Sequence, residues 1–389
     1  MMEGEISNFI MVWAIVVASL CYCHTTGNYL FPKPNLTRLF AILPIVCLFF
    51  VLPLNLTSVF LGGSSSFLIA WLASFKILLF AFRLGPLVAS PPLPLSTFIP
   101  LACLPIKVQD RALSDSRPKR IMRFGSEPPI TDSSSVPVVQ SDEGSGTAKG
   151  LISKKAHKFS INHFAKLILL VILIRVYKYQ EFIHFNVRLF FYSLHIYFIL
   201  ELSLVLVGSV VRTVSGIELE PPFDEPHLAT SLQDFWGRRW NLMVTNILRP
   251  TVYDPVMAVM ARFVSGQWAR FTGVVGAFLV SGIMHELVFY NIGRAKPSGE
   301  VLCFFLLHGV CLGLENWMKK ALIGKFRLPG FVSGPLTLSF VMVTSFWLFF
   351  PPMLKNMADV KACKECLAFV ETLKHTKLVS PNNITCPFL

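Results

Sequence analysis

Long apolar runs alternate with short polar segments along most of the chain. A helix that crosses a bilayer needs about 20 consecutive apolar residues. The runs that meet or approach this length lie near 9–25, 38–60, 66–88, 161–177, 186–208, 271–291, 301–318 and 332–351. The fourth and fifth runs are the weakest, because Arg175, Lys178 and Arg188 interrupt them. The pattern predicts an all-α, polytopic membrane protein with about eight transmembrane helices and additional interfacial helices.

The composition excludes an ordinary soluble fold. Hydrophobic residues make up 53% of the 389 residues and charged residues only 15%, whereas soluble domains average about 25% charged residues. The net charge of +13 would also suit a nucleic-acid-binding protein. Because apolar runs flank the basic loops, we interpret the charge as the excess of Lys and Arg in cytosolic loops of membrane proteins. We therefore expect no nucleic-acid partner.

The polar segments predict four regions. These are an N-terminal bundle of three spans at 1–106, a basic and partly disordered cytosolic linker at 107–160, a membrane core with the candidate catalytic residues at 161–352, and a C-terminal tail at 353–389. The linker stretch 125–158 has no aromatic residue, so it cannot bury enough apolar area to offset its chain entropy. The bias of Lys and Arg places the N-terminus and the tail in the lumen. A lumenal tail would allow a structural disulfide among its cysteines.

Residues 231–241, with the sequence SLQDFWGRRWN, suit neither a membrane span nor a linker. Two arginines are costly inside a bilayer, while Phe235, Trp236 and Trp240 are too apolar for a solvated loop. Such a stretch is typical of an amphipathic helix at the membrane interface. Its cations could bind phosphates, and its rings could stack on an adenine or line an acyl groove. The alternative is an ordinary interfacial belt of Trp and Arg.

His285 lies within an apolar run that begins near Phe271. Ionisable residues inside the membrane are expensive, and they are therefore candidates for function. Ser281 precedes His285 by four positions, so both share one helix face, whereas Glu286 points about 100° away. The alternative is a structural histidine that is hydrogen-bonded between helices. That alternative is stronger for His308, which has no comparable neighbours.

Several common chemistries lack their sequence motifs. The chain has no Walker loop, Rossmann fingerprint, nucleophile elbow or H-E-x-x-H zinc motif. A transporter or channel with a structural histidine is the alternative from a different class, since polar residues at mid-membrane occur there too. Against it, the sequence has no visible inverted repeat and no series of charged residues across several spans.

Residues 231–241 and 281–286 together resemble the membrane-bound O-acyltransferase family, and within it the plant wax synthases, or long-chain-alcohol O-fatty-acyltransferases. Residues 70–82 and 104–107 are also similar to that plant subgroup. The second half of residues 231–241 further resembles the F-Y-x-D-W-W-N motif of sterol and diacylglycerol acyltransferases. Two arginines here replace the acid and the first Trp of that motif.

The resemblance implies an acyl-CoA-dependent O-acyltransferase that forms wax esters from a long-chain fatty alcohol and a fatty acyl-CoA. It implies direct transfer, without an acyl-enzyme. A nucleophile such as Ser281 is the weaker alternative, because Ser281 and His285 lack an evident third orienting group. The alternative acceptor is a sterol or a triterpene alcohol. No cofactor or metal is expected, because acyl-CoA serves as co-substrate. The expected surroundings are the lipid bilayer of the endoplasmic reticulum, which the chain crosses several times.

The resemblance also implies roles for individual residues. His285 acts as the catalytic base, and the amide of Asn241 donates to the developing oxyanion or orients a substrate. Glu286 and Ser281 have supporting roles. The residues expected to bind acyl-CoA are Trp236, Arg238, Arg239 and Trp240.

Overall fold

Helices make up nearly all regular structure in the computed structural model, which describes residues 2–105, 162–215, 221–321 and 328–375. No strand occurs among these residues, which confirms the predicted all-α class. The α-helices are, in chain order, α1 Met2–Thr25, α2 Leu36–Val51, α3 Val59–Ser65, α4 Ser74–Ala81, α5 Leu95–Cys103, α6 162–176, α7 Phe185–Ser215, α8 Leu232–Asp234, α9 Leu242–Leu248, α10 Asp254–Met260, α11 Gly266–Gly293, α12 Glu300–Ala321, α13 Gly330–Thr344, α14 Phe350–Lys355 and α15 Ala358–His375. Turns of π-helix adjoin several of them, at Thr26–Leu30, Ser66–Ala73, Phe235–Arg239, Arg249–Tyr253 and Ser345–Phe349.

Seven helical segments among the described residues are long and apolar enough to cross a membrane. They are Gly4–Leu30, Leu36–Asn55, Val59–Ala81, Phe185–Thr213, Gly266–Gly293, Glu300–Ala321 and Gly330–Lys355. Each overlaps one of the predicted runs, so the structure confirms a polytopic membrane protein. The remaining run becomes α6, which rises only about 22 Å at 1.5 Å per residue. That length falls short of the ~30 Å apolar core of a bilayer.

The N-terminal and C-terminal helices meet the same end of α3. Glu5 in α1 accepts hydrogen bonds from the backbone N–H groups of Thr57 and Ser58, at 2.6 and 2.7 Å. Glu365 in α15 accepts from the N–H of Val59 at 2.6 Å and from the Ser58 hydroxyl at 2.7 Å. Both carboxylates satisfy N–H groups at the positive end of the helix dipole. The start of α1 and the helix α15 therefore lie at the same end of α3, and an eighth span stays a prediction.

The described chain clusters into two compact units, Met1–Asp110 with Leu204–Leu389, and Arg111–Ser203. The first unit therefore joins the N-terminal helices with the helix that carries the candidate histidine. The predicted linker lies outside the described residues, and the predicted domain boundaries stay predictions. In the tail, Cys363 is disulfide-bonded, and Cys366 is a free thiol.

Polar contacts fix α11 against the N-terminal helices. The buried amide of Asn291 donates from Nδ2 to Oγ of Ser66 at 2.7 Å. Arg294, just beyond α11, donates to the carbonyl oxygens of Leu54 and Leu56 at 2.7 and 2.6 Å. These bonds hold the π-helical segment after α3 next to the C-terminal half of α11, where His285 lies.

Helices α11 and α12 pack closely through glycines. A Cβ built on Gly282 would lie 2.8 Å from Cδ1 of Leu302, and one on Gly309 would lie 2.7 Å from Cβ of Phe278. Distances this short leave no room for a side chain. Glycine at these positions lets the two backbones approach, as small residues do in other membrane helix pairs. The close packing brings side chains of α12 into contact with those of α11 around the candidate histidine.

Candidate active site

The ring of His285 is held by its own helix. Its Nδ1 lies 2.8 Å from the carbonyl oxygen of Ser281, one turn earlier in α11, on the shared face that the four-residue spacing predicts. A carbonyl oxygen only accepts hydrogen bonds, so Nδ1 of the neutral ring carries the proton and donates it. The other nitrogen, Nε2, then has the free lone pair. No hydrogen bond to Nε2 is found within the described part of the chain, so this nitrogen is available to accept a proton.

Three aromatic side chains from separate parts of the chain surround this imidazole. Phe305 of α12 stacks on it, with ring centroids 4.2 Å apart. Trp71 meets it edge to face at 4.8 Å, and Phe349 at 6.0 Å. Trp71 and Phe349 both lie in π-helical turns, which are frequent at functional sites. The result is a half-buried base with apolar walls on several sides.

Glu286, the residue after the histidine, serves the packing of α11 on α12. Its side chain is 8% exposed, and Oε1 accepts a 3.2 Å hydrogen bond from the backbone N–H of Leu302. That N–H lies in the first turn of α12, where helix N–H groups lack intrahelical partners. Glu286 therefore bonds to the start of α12, one turn before Phe305, the residue on which His285 stacks.

His308 is a structural histidine with both nitrogens occupied. The indole Nε1 of Trp236 donates to Nδ1 of His308 at 3.0 Å, and Nε2 lies 2.8 Å from the hydroxyl of Thr344. Because an indole N–H only donates, Nδ1 is the acceptor, and Nε2–H donates to Thr344. The hydroxyl of Thr344 in turn donates a hydrogen bond to the carbonyl oxygen of Phe340 at 2.7 Å. This chain of hydrogen bonds fixes Trp236 in one orientation.

Trp236 connects residues 231–241 with the candidate base through one intervening ring. Its indole packs on Phe305 with centroids 5.9 Å apart, and Phe305 in turn stacks on His285. The backbone carbonyl of Trp236 also accepts a 3.1 Å hydrogen bond from the hydroxyl of Thr245. The two motifs that the sequence singles out therefore pack against one shared aromatic cluster.

Residues 231–241 form a short α-helix and a π-helical turn, rather than the continuous amphipathic helix that the sequence suggests. Ser231 caps α8 by accepting from the N–H of Asp234 at 3.1 Å. Glu315 of α12 accepts from the N–H groups of Leu232 and Gln233 at 2.8 and 3.3 Å. The segment is thus tied to α12 at its start, which fixes where the following aromatic residues point.

The two arginines of this segment have different surroundings. Arg239 pairs with Asp234 at 2.8 Å, and it also donates to the carbonyl oxygens of Asp224 and Glu225 at 3.1 and 3.3 Å. Arg238 is exposed. The predicted binding of acyl-CoA phosphates stays a prediction for both, but Arg238 is the one whose guanidinium faces outward, whereas Arg239 holds the local loop.

Asn241 ends the π-helical segment in an unusual backbone conformation. Its φ is +41° and its ψ is 62°, in the left-handed region where Asn is among the better tolerated residues. Its Oδ1 is buried and has no hydrogen-bond partner among the described residues. Leaving this atom unsatisfied costs about 1–3 kcal/mol. Because Oδ1 only accepts hydrogen bonds, it can pair with a donor such as a substrate hydroxyl, whereas an oxyanion would need the amide N–H of Asn241. Its predicted role at the oxyanion stays a prediction.

Sequence reasoning missed the aromatic walls of the site. Trp71, Phe305 and Phe349 lie in apolar runs, where an aromatic residue gives no sign of what it contacts. The one available signal is the stretch 70–82, which resembles the plant subgroup and contains Trp71. Within the described ranges, no group of three or more His, Cys, Asp or Glu side chains is placed to hold a metal ion.

Comparison with known proteins identifies the family of this chain. The model of the "Membrane bound O-acyl transferase family" matches residues 219–307, which include both motifs. A long-chain-alcohol O-fatty-acyltransferase from Simmondsia chinensis is 40% identical over 93% of this chain and 94% of its own length. Acyl-CoA–sterol O-acyltransferase 1 from Arabidopsis thaliana is 41% identical over 93% of this chain and 95% of its own length. The chain therefore belongs to the membrane-bound O-acyltransferase family, and it is a polytopic membrane acyltransferase.

Proposed function

We propose that this enzyme transfers the acyl group of a long-chain fatty acyl-CoA to the hydroxyl of a long-chain fatty alcohol, with His285 as the catalytic base. The observation that carries this proposal is the hydrogen bond from Nδ1 of His285 to the carbonyl of Ser281. It fixes the tautomer in which Nε2 accepts a proton. The similar long-chain-alcohol acyltransferase from Simmondsia chinensis supports the acceptor class, and family membership supports an endoplasmic reticulum location.

The reaction needs one base and no covalent enzyme intermediate. Nε2 of His285 takes the hydroxyl proton while the alcohol oxygen attacks the thioester carbon, and the carbonyl electron pair moves onto its oxygen. When that pair returns, the C–S bond breaks, and the CoA thiolate leaves with the proton from Nε2. The bond from Nδ1 to the Ser281 carbonyl persists throughout. It stabilises the imidazolium that forms between the two steps.

The surroundings of the base suit two lipid substrates. The rings of Trp71, Phe305 and Phe349 give it apolar walls, which favour alkyl chains and disfavour water. Excluding water matters because a water molecule in place of the alcohol would hydrolyse the thioester. In this proposal, the side-chain N–H of Asn241 donates to the thioester carbonyl oxygen as it becomes an oxyanion, and Arg238 lies on the path of the CoA phosphates.

A sterol or triterpene alcohol is the second candidate acceptor. The specific observation in its favour is the relative named acyl-CoA–sterol O-acyltransferase 1, which is 41% identical over 93% of this chain. The long-chain-alcohol enzyme is 40% identical over the same share. Overall identity therefore does not distinguish the two acceptors, and the choice depends on the shape of the cavity that receives the alcohol.

An acceptor panel tests the proposal. Microsomes from a host that makes neither wax esters nor steryl esters would receive one labelled long-chain acyl-CoA. Each assay would add a fatty alcohol, a sterol, a triterpene alcohol or diacylglycerol, and microsomes of the same host without this enzyme would give the background. We expect the highest kcat/KM with the fatty alcohol. A preference for the sterol or triterpene alcohol would establish the second candidate, and no ester above the background with any acceptor would overturn both.

A further inference from the structure

We propose that Trp71 is a further catalytic residue, whose indole N–H donates a hydrogen bond to the thioester carbonyl oxygen as that oxygen becomes an oxyanion. This inference rests on the proposed role of His285 as base. Trp71 belongs to the N-terminal helices, outside the two motifs at residues 231–241 and 281–286. The inference therefore gives these helices a role in the chemistry.

The first support is a buried donor without a partner. Trp71 is 2% exposed, and its Nε1 has no hydrogen-bond partner among the residues that the structure describes. An indole N–H can only donate, and leaving one buried and unsatisfied is unfavourable. Other tryptophans in the fold do satisfy this group, since Trp13 donates to Ser65 at 3.2 Å and Trp236 to His308 at 3.0 Å.

The second support is the position of this donor. The indole of Trp71 contacts the imidazole of His285 edge to face, with centroids 4.8 Å apart and ring planes at 83°. The acyl carbon must come within reach of both the attacking alcohol and Nε2 of His285. A donor on the ring that touches the imidazole is therefore beside the place where charge develops on the carbonyl oxygen.

The third support is that Trp71 is rigidly held. Its sequence neighbours Ala70 and Leu72 are fully buried, and Phe67 packs on the indole edge to face at 5.7 Å. The residue belongs to the π-helical segment Ser66–Ala73, which Asn291 of α11 fixes through Ser66. Donors that are already oriented before the reaction are the ones that stabilise a transition state most effectively.

Apart from the proton that His285 transfers, bonds form and break in the proposed step only at the acyl carbon and its carbonyl oxygen. The alcohol oxygen forms a bond to the acyl carbon, and the carbonyl electron pair becomes the oxyanion, which accepts the hydrogen bond from Nε1–H of Trp71. Trp71 keeps its proton. When the C–S bond breaks, the carbonyl re-forms, and the hydrogen bond to Trp71 weakens to that of a neutral ester. Asn241 provides a second amide for the same oxygen in the proposed function.

The test removes the N–H and keeps the aromatic surface. In the full-length enzyme in microsomes, Trp71→Phe should lower kcat about 10²-fold, the typical effect of losing one oxyanion donor, with little change in the KM for acyl-CoA. The pH profile of kcat/KM should stay at the wild-type position, because the base is unaltered. Trp13→Phe is the matched control, since its indole donates to Ser65 away from the base, and it should leave kcat unchanged.

A second variant separates the N–H from packing. Replacement of Trp71 by 3-benzothienylalanine changes only N–H to sulfur, and it should show the same loss even if the Phe variant accumulates poorly. Wild-type kcat in this variant, a loss confined to KM, or a shifted pH profile would each overturn the proposal. His285→Ala, assayed alongside, keeps the two claims apart. If it is inactive while the Trp71 variants are normal, only this inference fails, and if it is active the proposed base fails.

Discussion

The indole Nε1 of Trp236 donates a 3.0 Å hydrogen bond to Nδ1 of His308, and the imidazole of His308 is fully buried. Its second nitrogen contacts the hydroxyl of Thr344 at 2.8 Å. His285, by contrast, uses one nitrogen on its own helix and leaves the other without a partner in the described structure. The two histidines of the late spans therefore differ in their hydrogen bonds: both ring nitrogens of His308 have partners, and only one of those of His285 does in the described structure.

Replacing His308 should affect stability more than chemistry. His308→Leu leaves the buried indole N–H of Trp236 without an acceptor, so we expect the free energy of unfolding to fall by about 1–3 kcal/mol. A lower midpoint of thermal unfolding in detergent, with measurable ester formation, is the expected result. His227→Gln is the control, since His227 is an exposed histidine. Complete loss of activity at normal stability would instead place His308 in the reaction.

We expect Arg238 to contribute to acyl-CoA binding and Arg239 to contribute to local stability. Arg238→Ala should raise the KM for acyl-CoA by about 1.4- to fivefold, the effect of losing an exposed ion pair worth about 0.2–1 kcal/mol. The effect should shrink at high ionic strength. Arg239→Ala breaks the 2.8 Å pair with Asp234, so it should lower stability and abundance.

Kinetics and thermal unfolding of the two variants, measured in parallel, check this assignment, and each variant is the control for the other. The two roles would be reversed if Arg239→Ala raised the KM for acyl-CoA at unchanged stability while Arg238→Ala left the KM unchanged.

Asn241 allows its side chain and its backbone to be tested separately. Its φ of +41° is strained for alanine by roughly 1–2 kcal/mol, whereas glycine adopts it freely. Asn241→Gly should therefore keep protein abundance while kcat falls by about 10²-fold, because the amide is lost. Asn241→Ala should lose most turnover and some stability as well. Ester formation at the wild-type rate in the glycine variant would remove Asn241 from the site.

The membrane spans could be predicted from the sequence because the bilayer sets their length. Seven of the apolar runs became candidate spans, since about 20 apolar residues in a row have few other stable environments. The face shared by Ser281 and His285 was equally predictable, because it depends only on the helical repeat. Both features are local, so neither requires knowledge of what packs against them.

The structure of residues 231–241 was harder to predict, because a π-helical turn changes which side chains meet. In an α-helix, residues five positions apart diverge by about 140°, yet Asp234 and Arg239 form a 2.8 Å ion pair here. The wider turn at Phe235–Arg239 brings them to one side. A sequence read with the ordinary helical repeat therefore predicts an amphipathic helix and misses this pair.

Trp71 could not be assigned from sequence because its significance lies in a distant contact. It sits in an apolar run without charged neighbours until Lys76, where a tryptophan is typical of a lipid interface. Only the packing of the π-helical segment against α11 brings it to His285. The same holds for Phe305 and Phe349, which approach the imidazole from other helices.

The central claim is that Nε2 of His285 removes the proton from the acceptor alcohol. The most direct measurement is single-turnover ester formation by purified His285→Ala enzyme in lipid nanodiscs, with labelled acyl-CoA already bound. Ile283→Ala, at an exposed position on the same helix, is the control. We predict that His285→Ala binds acyl-CoA but forms ester about 10²–10⁴-fold more slowly, while Ile283→Ala matches wild type. Ester formation by His285→Ala at the wild-type rate would contradict it.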